Sequence, residues 1–440
     1  MSSLCSSVLL TLLGLSRLAL GAPTSPSLSS SAPSSTATIA FAGTAPNNPL
    51  WYPESPASTP QPIRGSLGAS IIGPDNIPME LQNSDLLAPP TTDNGQVGNA
   101  KWPFSFSPNR IQTGGWARQQ NAAVMPIAQN MAGVNMRLEA GAIREMHWHK
   151  TSEWSYVLKG TMQVSAVDQN GRNFVANVKA GDLWFFPAGV PHALQATADD
   201  PDGAEFLLVF PDGNFSEDDT FLLTDWLAHV PMEVIEKNFG ISNPQAFSRI
   251  PAKQLYIFPG TPPTTSQAPS DPQGQVPEPY AYALSEVTPT PLAGGSVKIV
   301  DSTIFKFSTT IAAAEVTVEP GALRELHWHP TMDEWTYFLE GQGRVTLFAS
   351  QSNARTFDYQ SGDIAYIPAS MGHYVENTGN TTLKFLEIFN TDRFQDISLT
   401  QWLALTPPEL VQAHLGFDEE TMAHLNKTKA TVVAPLKVSD

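Results

Sequence analysis

The stretch Glu139-Ala140-Gly141-Ala142-Ile143-Arg144-Glu145-Met146-His147-Trp148-His149 returns 180 residues later as Glu319-Pro320-Gly321-Ala322-Leu323-Arg324-Glu325-Leu326-His327-Trp328-His329. Working outward, Gly114-Gly115 recurs as Gly294-Gly295 at the same offset. Gly181-Asp182 with Pro187 and His192 recurs as Gly362-Asp363 with Pro368 and His373 at offset 181, and Leu223 to Ala228 resembles Leu399 to Ala404. Self-similarity on this scale marks a duplicated unit, so the chain carries two copies of one fold. Within a copy, short apolar runs such as Met162 to Val167, Leu183 to Phe186 and Phe206 to Phe210 are bounded by Gly, Pro, Asn and Asp, as strands between turns are. Their spacing predicts an all-β class, with each copy an antiparallel barrel or jelly roll. Each copy then closes with a short helical segment. In the first, Thr224 to Lys237 places Trp226, Leu227, Val230, Val234 and Ile235 at near-helical spacing.

His147 and His149 stand two apart, so on a strand both imidazoles face the same side. Glu153 follows four residues later and His192 lies 39 beyond it; His327, His329, Glu334 and His373 repeat the set with the same 39-residue gap. Six of the nine histidines are used in this way. One such pair would more often be incidental, but two matched sets of four are not. Three neutral imidazoles and a carboxylate converging inside a barrel form a mixed N/O metal site, one ion per domain. Such a set leaves two adjacent positions open on an octahedral ion. Spacing does not name that ion, because manganese, iron, zinc, nickel and cobalt all accept these donors.

These residues carry a family resemblance. Gly141, five residues, His147-Trp148-His149, three residues, Glu153, six residues, Gly160 resembles the first cupin motif of the germin-like group. Gly181, five residues, Pro187-Ala188-Gly189, two residues, His192 resembles the second. The second copy runs from Gly321 to Gly341 with four residues before Glu334, then from Gly362 to His373 and Asn377. It departs at Ser370, where Gly is usual, and the first copy has Ala196 where Asn would fall. From about Pro62 to Leu415 the chain is similar to the bicupin oxalate decarboxylases, including Trp148 and Trp328 between the ligands and the segment around Asp225-Trp226-Leu227-Ala228. The resemblance implies two tandem cupin domains, one Mn2+ in each, oxalate as substrate, a requirement for O2, and assembly into a homo-oligomer through the helical segments.

Four further residues are candidates for the chemistry. Arg144 and Arg324 each precede the first His of their set by three residues. That odd spacing turns a side chain to the opposite face of an ideal strand, so a bend must bring each arginine inward. Otherwise it is an exposed surface cation. Turned inward, it is the local positive charge that a carboxylate substrate needs. Between Phe210 and Trp226 the first copy has 15 residues, where the second has 12 between Phe389 and Trp402. The extra length lies in Ser216-Glu217-Asp218-Asp219-Thr220, a solvated acidic loop on composition alone. In the decarboxylases the equivalent loop is a lid whose glutamate donates a proton, and Glu217 falls at that place. Glu387 stands on an apolar strand where the first copy has Leu208. A carboxylate there must be paired, hydrogen-bonded or raised in pKa, either as a proton donor or partner at the second metal or as a structural ion-pair residue.

Composition bounds the rest. The 440 residues suffice for two domains, and 24 Lys+Arg against 42 Asp+Glu give a net charge of −18. That balance argues against a nucleic-acid partner, and an anionic substrate gains nothing from the overall field. The expected organisation is a signal peptide over 1–22, a Ser/Thr/Pro-rich tail over 23–62, a first domain over 63–255, a linker over 256–285 and a second domain over 286–440. The leader around Leu4 to Ala22 points to a secreted protein, and Asn214, Asn380 and Asn426 stand in glycosylation sequons. No segment beyond the leader approaches a membrane span. The only cysteine, Cys5, lies in that leader, which excludes thiolate metal sites and cysteine nucleophiles from the mature chain. Two rivals to a decarboxylase remain: an oxalate oxidase giving CO2 and hydrogen peroxide, and a non-catalytic storage bicupin.

Overall fold

Strands buried on one face alternate apolar and polar residues, whereas strands buried on both faces read as unbroken apolar runs. The run Leu183-Trp-Phe-Phe186 is of the second kind, and the computed structural model of the protein, which describes residues 59–436, shows why. Trp184 and Phe186 point into the core of the first barrel, while Leu183 and Phe185 point into a second core shared between the two copies. Cys5, the leader and the tail up to residue 58 lie outside the described residues.

Each copy is a pair of antiparallel sheets enclosing its own apolar cluster. In the first, one sheet runs Asn173–Lys179, Thr161–Val167, His192–Ala196, Ile143–Trp148 and Phe221–Leu222, with Ile257–Phe258 also paired to Ile143–Trp148. The other runs Ala281–Tyr282, Leu183–Phe186, Glu153–Lys159, Ala204–Phe210, Ala132–Leu138, Gly115–Gln120 and Arg110–Gln112. Val164, Trp184, Phe206 and Leu208 fill this barrel; Val316, Phe338, Phe357 and Phe385 fill the second. Trp154, Phe185 and Leu207 meet Trp335, Tyr366 and Leu386 between them.

The segmentation expected from the chain is cut across by the sheets. Lys101–Pro103 pairs with Asp363–Ile367 of the second copy, and Ala281–Tyr282 pairs with Leu183–Phe186 of the first. Each copy therefore receives strand pairing from outside its own stretch of sequence. The Pro-rich stretch after residue 255 is likewise built in at both ends, through Ile257–Phe258 and Ala281–Tyr282.

The helical stretch expected over Thr224 to Lys237 is two helices, Leu223–Ala228 and Met232–Phe239. Pro231 separates them, since it has no N–H to continue the first ladder and suits only a helix start. Gly240, at φ 67°, ends the second, as Gly416 at φ 68° ends Pro408–Leu415 in the other copy. Of the periodic residues only Ile235 is buried; Trp226 and Val234 are exposed. Among the described residues no helix is long and apolar enough to cross a membrane.

Candidate metal centres and their arginines

The two donor sets form at matching ends of the two barrels. His147 is the penultimate residue of the strand Ile143–Trp148, His149 follows that strand, Glu153 opens the next one and His192 opens a strand paired opposite His147. One ligand atom from each of the four lies within 4.8 Å of every other, and all four residues are buried. His327, His329, Glu334 and His373 make the same constellation in the second barrel. The usual Gly of the second motif occupies a left-handed turn in both copies, at φ 75° for Gly189 and φ 66° for Ser370. The backbone N–H at that turn donates to the carbonyl of His149 or His329 (2.9 and 2.7 Å). Ser370 keeps that bond in a conformation that costs a non-glycine residue some strain.

Backbone carbonyls set the tautomers. Nδ1 of His147, His149 and His192 donates to the carbonyls of Glu145 (2.5 Å), Thr151 (3.1 Å) and Val190 (2.9 Å). Nδ1 of His327, His329 and His373 donates to Glu325 (2.7 Å), Gln395 (2.8 Å) and Met371 (2.9 Å). Every Nε2 lone pair is thereby turned to the centre. Burial pushes the pKa values of His147, His192 and His327 down; Arg144 and Arg324 add to this at His147 and His327, while Glu153 opposes it at His192 without cancelling it, so these rings stay neutral. Burial alone would raise the Glu153 carboxyl, but His192 and His149 hold it well below the ordinary range, and Glu334 is held down likewise by His373 and His329. Trp184 Nε1 anchors the other Glu153 oxygen at 2.8 Å; the Thr336 hydroxyl does this for Glu334. Nε2 of His192 and of His327 has no hydrogen-bond partner despite being buried, the state expected of donors arranged for a cation. Three imidazole nitrogens and a carboxylate fit a divalent first-row ion.

The arginines are turned inward, which overturns the reading of them as surface cations. Arg144 is 1% exposed and Arg324 is fully buried. The parity conflict is resolved by a bulge: Arg144 to His147 spans three residues where its partner strand uses two, Leu194 to His192. The second copy repeats this, from Arg324 to His327 against Val375 to His373. An extra residue in one strand re-aims the side chains beyond it.

The two arginines end in different company. Arg144 Nη2 donates to Glu217 Oε2 at 3.2 Å, while its Nε and Nη1 are buried without a partner. Glu217 sits in the one-turn helix Glu217–Asp219 and is only 8% exposed, so it is not part of a solvated loop. Tyr256 Oη donates to the same Glu217 oxygen at 2.6 Å, and the Glu217 N–H donates to Gln119 Oε1 at 2.9 Å. Burial, and then the charge of Glu217, push the Tyr256 phenol up, which keeps it a donor. Phe215 stacks on Phe210 before this turn, and Phe221 stacks on Trp148 after it.

Arg324 donates from Nε to Glu387 Oε1 at 3.0 Å and from Nη2 to Asp396 Oδ2 at 2.6 Å. Lys429 also pairs with Asp396, and burial together with Arg324 pushes its ammonium down to about 8. Of the two readings of Glu387, this places it as an ion-pair partner of Arg324.

Tyr256, Gln119, Asp396 and Lys429 were not anticipated from sequence. Glu145 was seen only as part of the repeat. Its carboxylate accepts four bonds, from Thr224 N (2.7 Å), Thr224 Oγ1 (2.5 Å), Leu255 N (2.9 Å) and Tyr256 N (2.7 Å). This holds Tyr256 in a left-handed conformation at φ 61°, unusual for a bulky residue. The recurrence of Glu145 as Glu325 was the one signal available.

The cupin family model matches residues 105–246 and 288–423. Oxalate decarboxylase OxdC of Bacillus subtilis is 52% identical over 376 residues, which cover 85% of this chain and 97% of that one. An oxalate decarboxylase of Arthroderma benhamiae is 37% identical over 402 residues, covering 85% and 93%. Solved structures of the Bacillus enzyme, including one at pH 4.6 and one concerned with its Mn(II) centres, match at 51% identity and a TM-score of 0.83 over 86% of this chain.

Proposed function

This chain belongs to the cupin family, among its two-domain oxalate decarboxylases, and we propose that it splits oxalate into formate and CO2 at the first donor set, with manganese as metal and O2 as co-substrate. The placement of Glu217 carries this reading: a carboxyl on a short turn, 3.2 Å from the arginine beside the first donor set. His147, His149, Glu153 and His192 would hold one Mn2+, and His327, His329, Glu334 and His373 a second. When bound, manganese supplies a Lewis acid for the substrate carboxylate and, with O2, a reversible one-electron oxidation.

The side chains do the rest. Arg144 retains two unpartnered donors, Nε and Nη1, which meet the negative charge of the substrate. Breaking the C–C bond releases CO2, and Glu217 in its acid form delivers a proton to the carbon that remains. The carboxyl proton of the oxalate monoanion restores Glu217, so one hydrogen oxalate gives one CO2 and one formate with no net change in electrons. Tyr256 positions the acid, and the closed turn keeps water from the one-carbon fragment. The leader and sequons support the further reading that the enzyme is secreted. An N-terminal sequence of protein from culture medium, starting after residue 22, is the expected result.

Product analysis under air, on protein of known metal content, tests the activity. Formate and CO2 in about equal amounts with little peroxide are expected. Peroxide with two CO2 and no formate would make the protein an oxidase, and protein that purifies without metal would revive the reading as a non-catalytic storage bicupin.

A further inference from the structure

On the outer side of the Glu217 turn lies a cavity of about 580 Å³, open to solvent and lined in part by Asn109, Arg110, Gln119, Asp218 and Tyr256. Arg110 occupies a special place in it. Its Nη1 donates to Asp218 Oδ1 at 3.1 Å, and its guanidinium lies 3.6 Å from the centre of the Tyr256 ring. The guanidinium of Arg144 lies 4.2 Å from the centre of that same ring. Tyr256 is thus flanked by two cations, one facing the cavity and one facing the donor set. Each is neutralised by a neighbouring residue of the same turn, Arg110 by Asp218 and Arg144 by Glu217.

The outer pair is weakly held. Arg110 is 28% exposed and Asp218 is 78% exposed, so water competes for both partners of the pair. An incoming dicarboxylate monoanion carries the one negative charge that each guanidinium now takes from a single residue of the turn. It can therefore take over the two guanidinium groups one after the other with little change in electrostatic balance. This also meets the need for a local cation on a protein whose net charge of −18 offers an anion no general attraction.

We propose that Arg110, Tyr256 and Arg144 form an admission relay for small dicarboxylates, in which Arg110 captures the anion by exchanging Asp218 for it and so loosens the turn that closes the donor set. Arg110 is a binding residue of the outer cavity, and Asp218 is the internal group that substrate displaces. This rests on the reading of the first donor set as an oxalate site.

The alternative role for Arg110 is purely structural, a clip that holds the turn shut through Asp218. The two roles predict different outcomes. If Arg110 is only a clip, Arg110→Gln and Asp218→Asn remove the same ion pair and change the kinetics alike. If Arg110 captures substrate, Arg110→Gln lowers kcat/KM for oxalate about tenfold, the low end of local electrostatic focusing, and Asp218→Asn does not lower it. Added salt should depress kcat/KM in the native enzyme and do so much less in Arg110→Gln. Arg110→Lys keeps the charge and should recover part of the loss.

A second measurement does not depend on turnover. Hydrogen exchange of the segment 214–222 is followed in the metal-loaded protein with malonate, against sodium chloride at equal ionic strength. Malonate should speed exchange of this segment in the native protein and leave it unchanged in Arg110→Gln. Equal kinetics for Arg110→Gln and Asp218→Asn, or exchange that ignores malonate, would overturn the relay. A native enzyme that makes no formate, yet whose turn is loosened by malonate through Arg110, would overturn the decarboxylase reading and leave the relay standing.

Discussion

The two donor sets are built from the same residue types on matching strands, and backbone carbonyls fix the same tautomers, although His149 uses Thr151 where His329 uses the distant Gln395. The surroundings of the neighbouring arginine are where they part. Arg144 meets one carboxylate, carried on a short turn over a solvent-open cavity, and keeps Nε and Nη1 unspent. Arg324 is closed between Glu387 and Asp396, and the half-buried Lys429 completes a group of two positive and two negative charges. The first arrangement has donors left to offer an anion, beside a carboxyl carried on a short turn. The second spends Nε and Nη2 on its own two carboxylates and leaves only Nη1 without a partner. A duplicated fold thus places different partners around matching arginines by exchanging a few residues outside the metal ligands.

That contrast can be broken most directly by removing each carboxylate. Glu217→Gln should lower the rate of formate production by at least about a hundredfold, the scale of a lost proton donor, whereas Glu387→Gln should leave formate as the main product. Formate and peroxide measured together under air decide it. Equal loss of formate in Glu387→Gln, with both metals retained, would break the comparison.

The arginines should respond in the opposite order when stability is read instead. Arg324→Gln strands Glu387 and Asp396 in the interior and should cost about 3–5 kcal/mol in calorimetric unfolding. Arg144→Gln leaves Glu217 still bonded to Tyr256 on a turn able to swing out, and should cost nearer 1 kcal/mol while abolishing turnover. At the metal sets, His327→Ala should halve the metal content per chain and lower the Tm without ending formate production. His147→Ala should end it at the same metal content.

The smallest expected effect concerns acid. His147, His192 and His327 have lowered pKa values when buried, against an unfolded value of 6.5. Below pH 6.5 the unfolded chain takes up protons that the folded one refuses, so stability present above that pH is lost as the pH falls. The metal-free protein should show a Tm that declines from pH 6.5 downward. Bound metal should hold that decline off to lower pH, since protons must then displace it.

Much of this was legible in the chain. The duplicated His-Trp-His, the 39-residue gap and the apolar runs were enough for two β-barrels and all eight metal donors. The inward turn of Arg144 was legible only as a conflict, because a bulge is an exception to the period of two and leaves no mark of its own. The apolar spacing over Thr224 to Lys237 reads as one helical stretch, but Pro231 inside it divides the stretch into two helices. Tyr256 lay at the edge of a stretch that composition marked as linker, and Asp396 lay in the shorter of two loops that do not align.

What the sequence by itself determined is whatever depends on neighbours in the chain: strand periodicity, two imidazoles on one face, a proline that stops a helix. What only the tertiary structure decided is who meets Arg144 and Arg324. Glu217 comes from 73 residues along the chain to reach Arg144, Glu387 from 63 and Asp396 from 72 to reach Arg324. No local spacing encodes such meetings. They are fixed by how strands pair and by whether a buried charge finds its partner, because the cost of leaving it unpaired is set by the whole barrel around it.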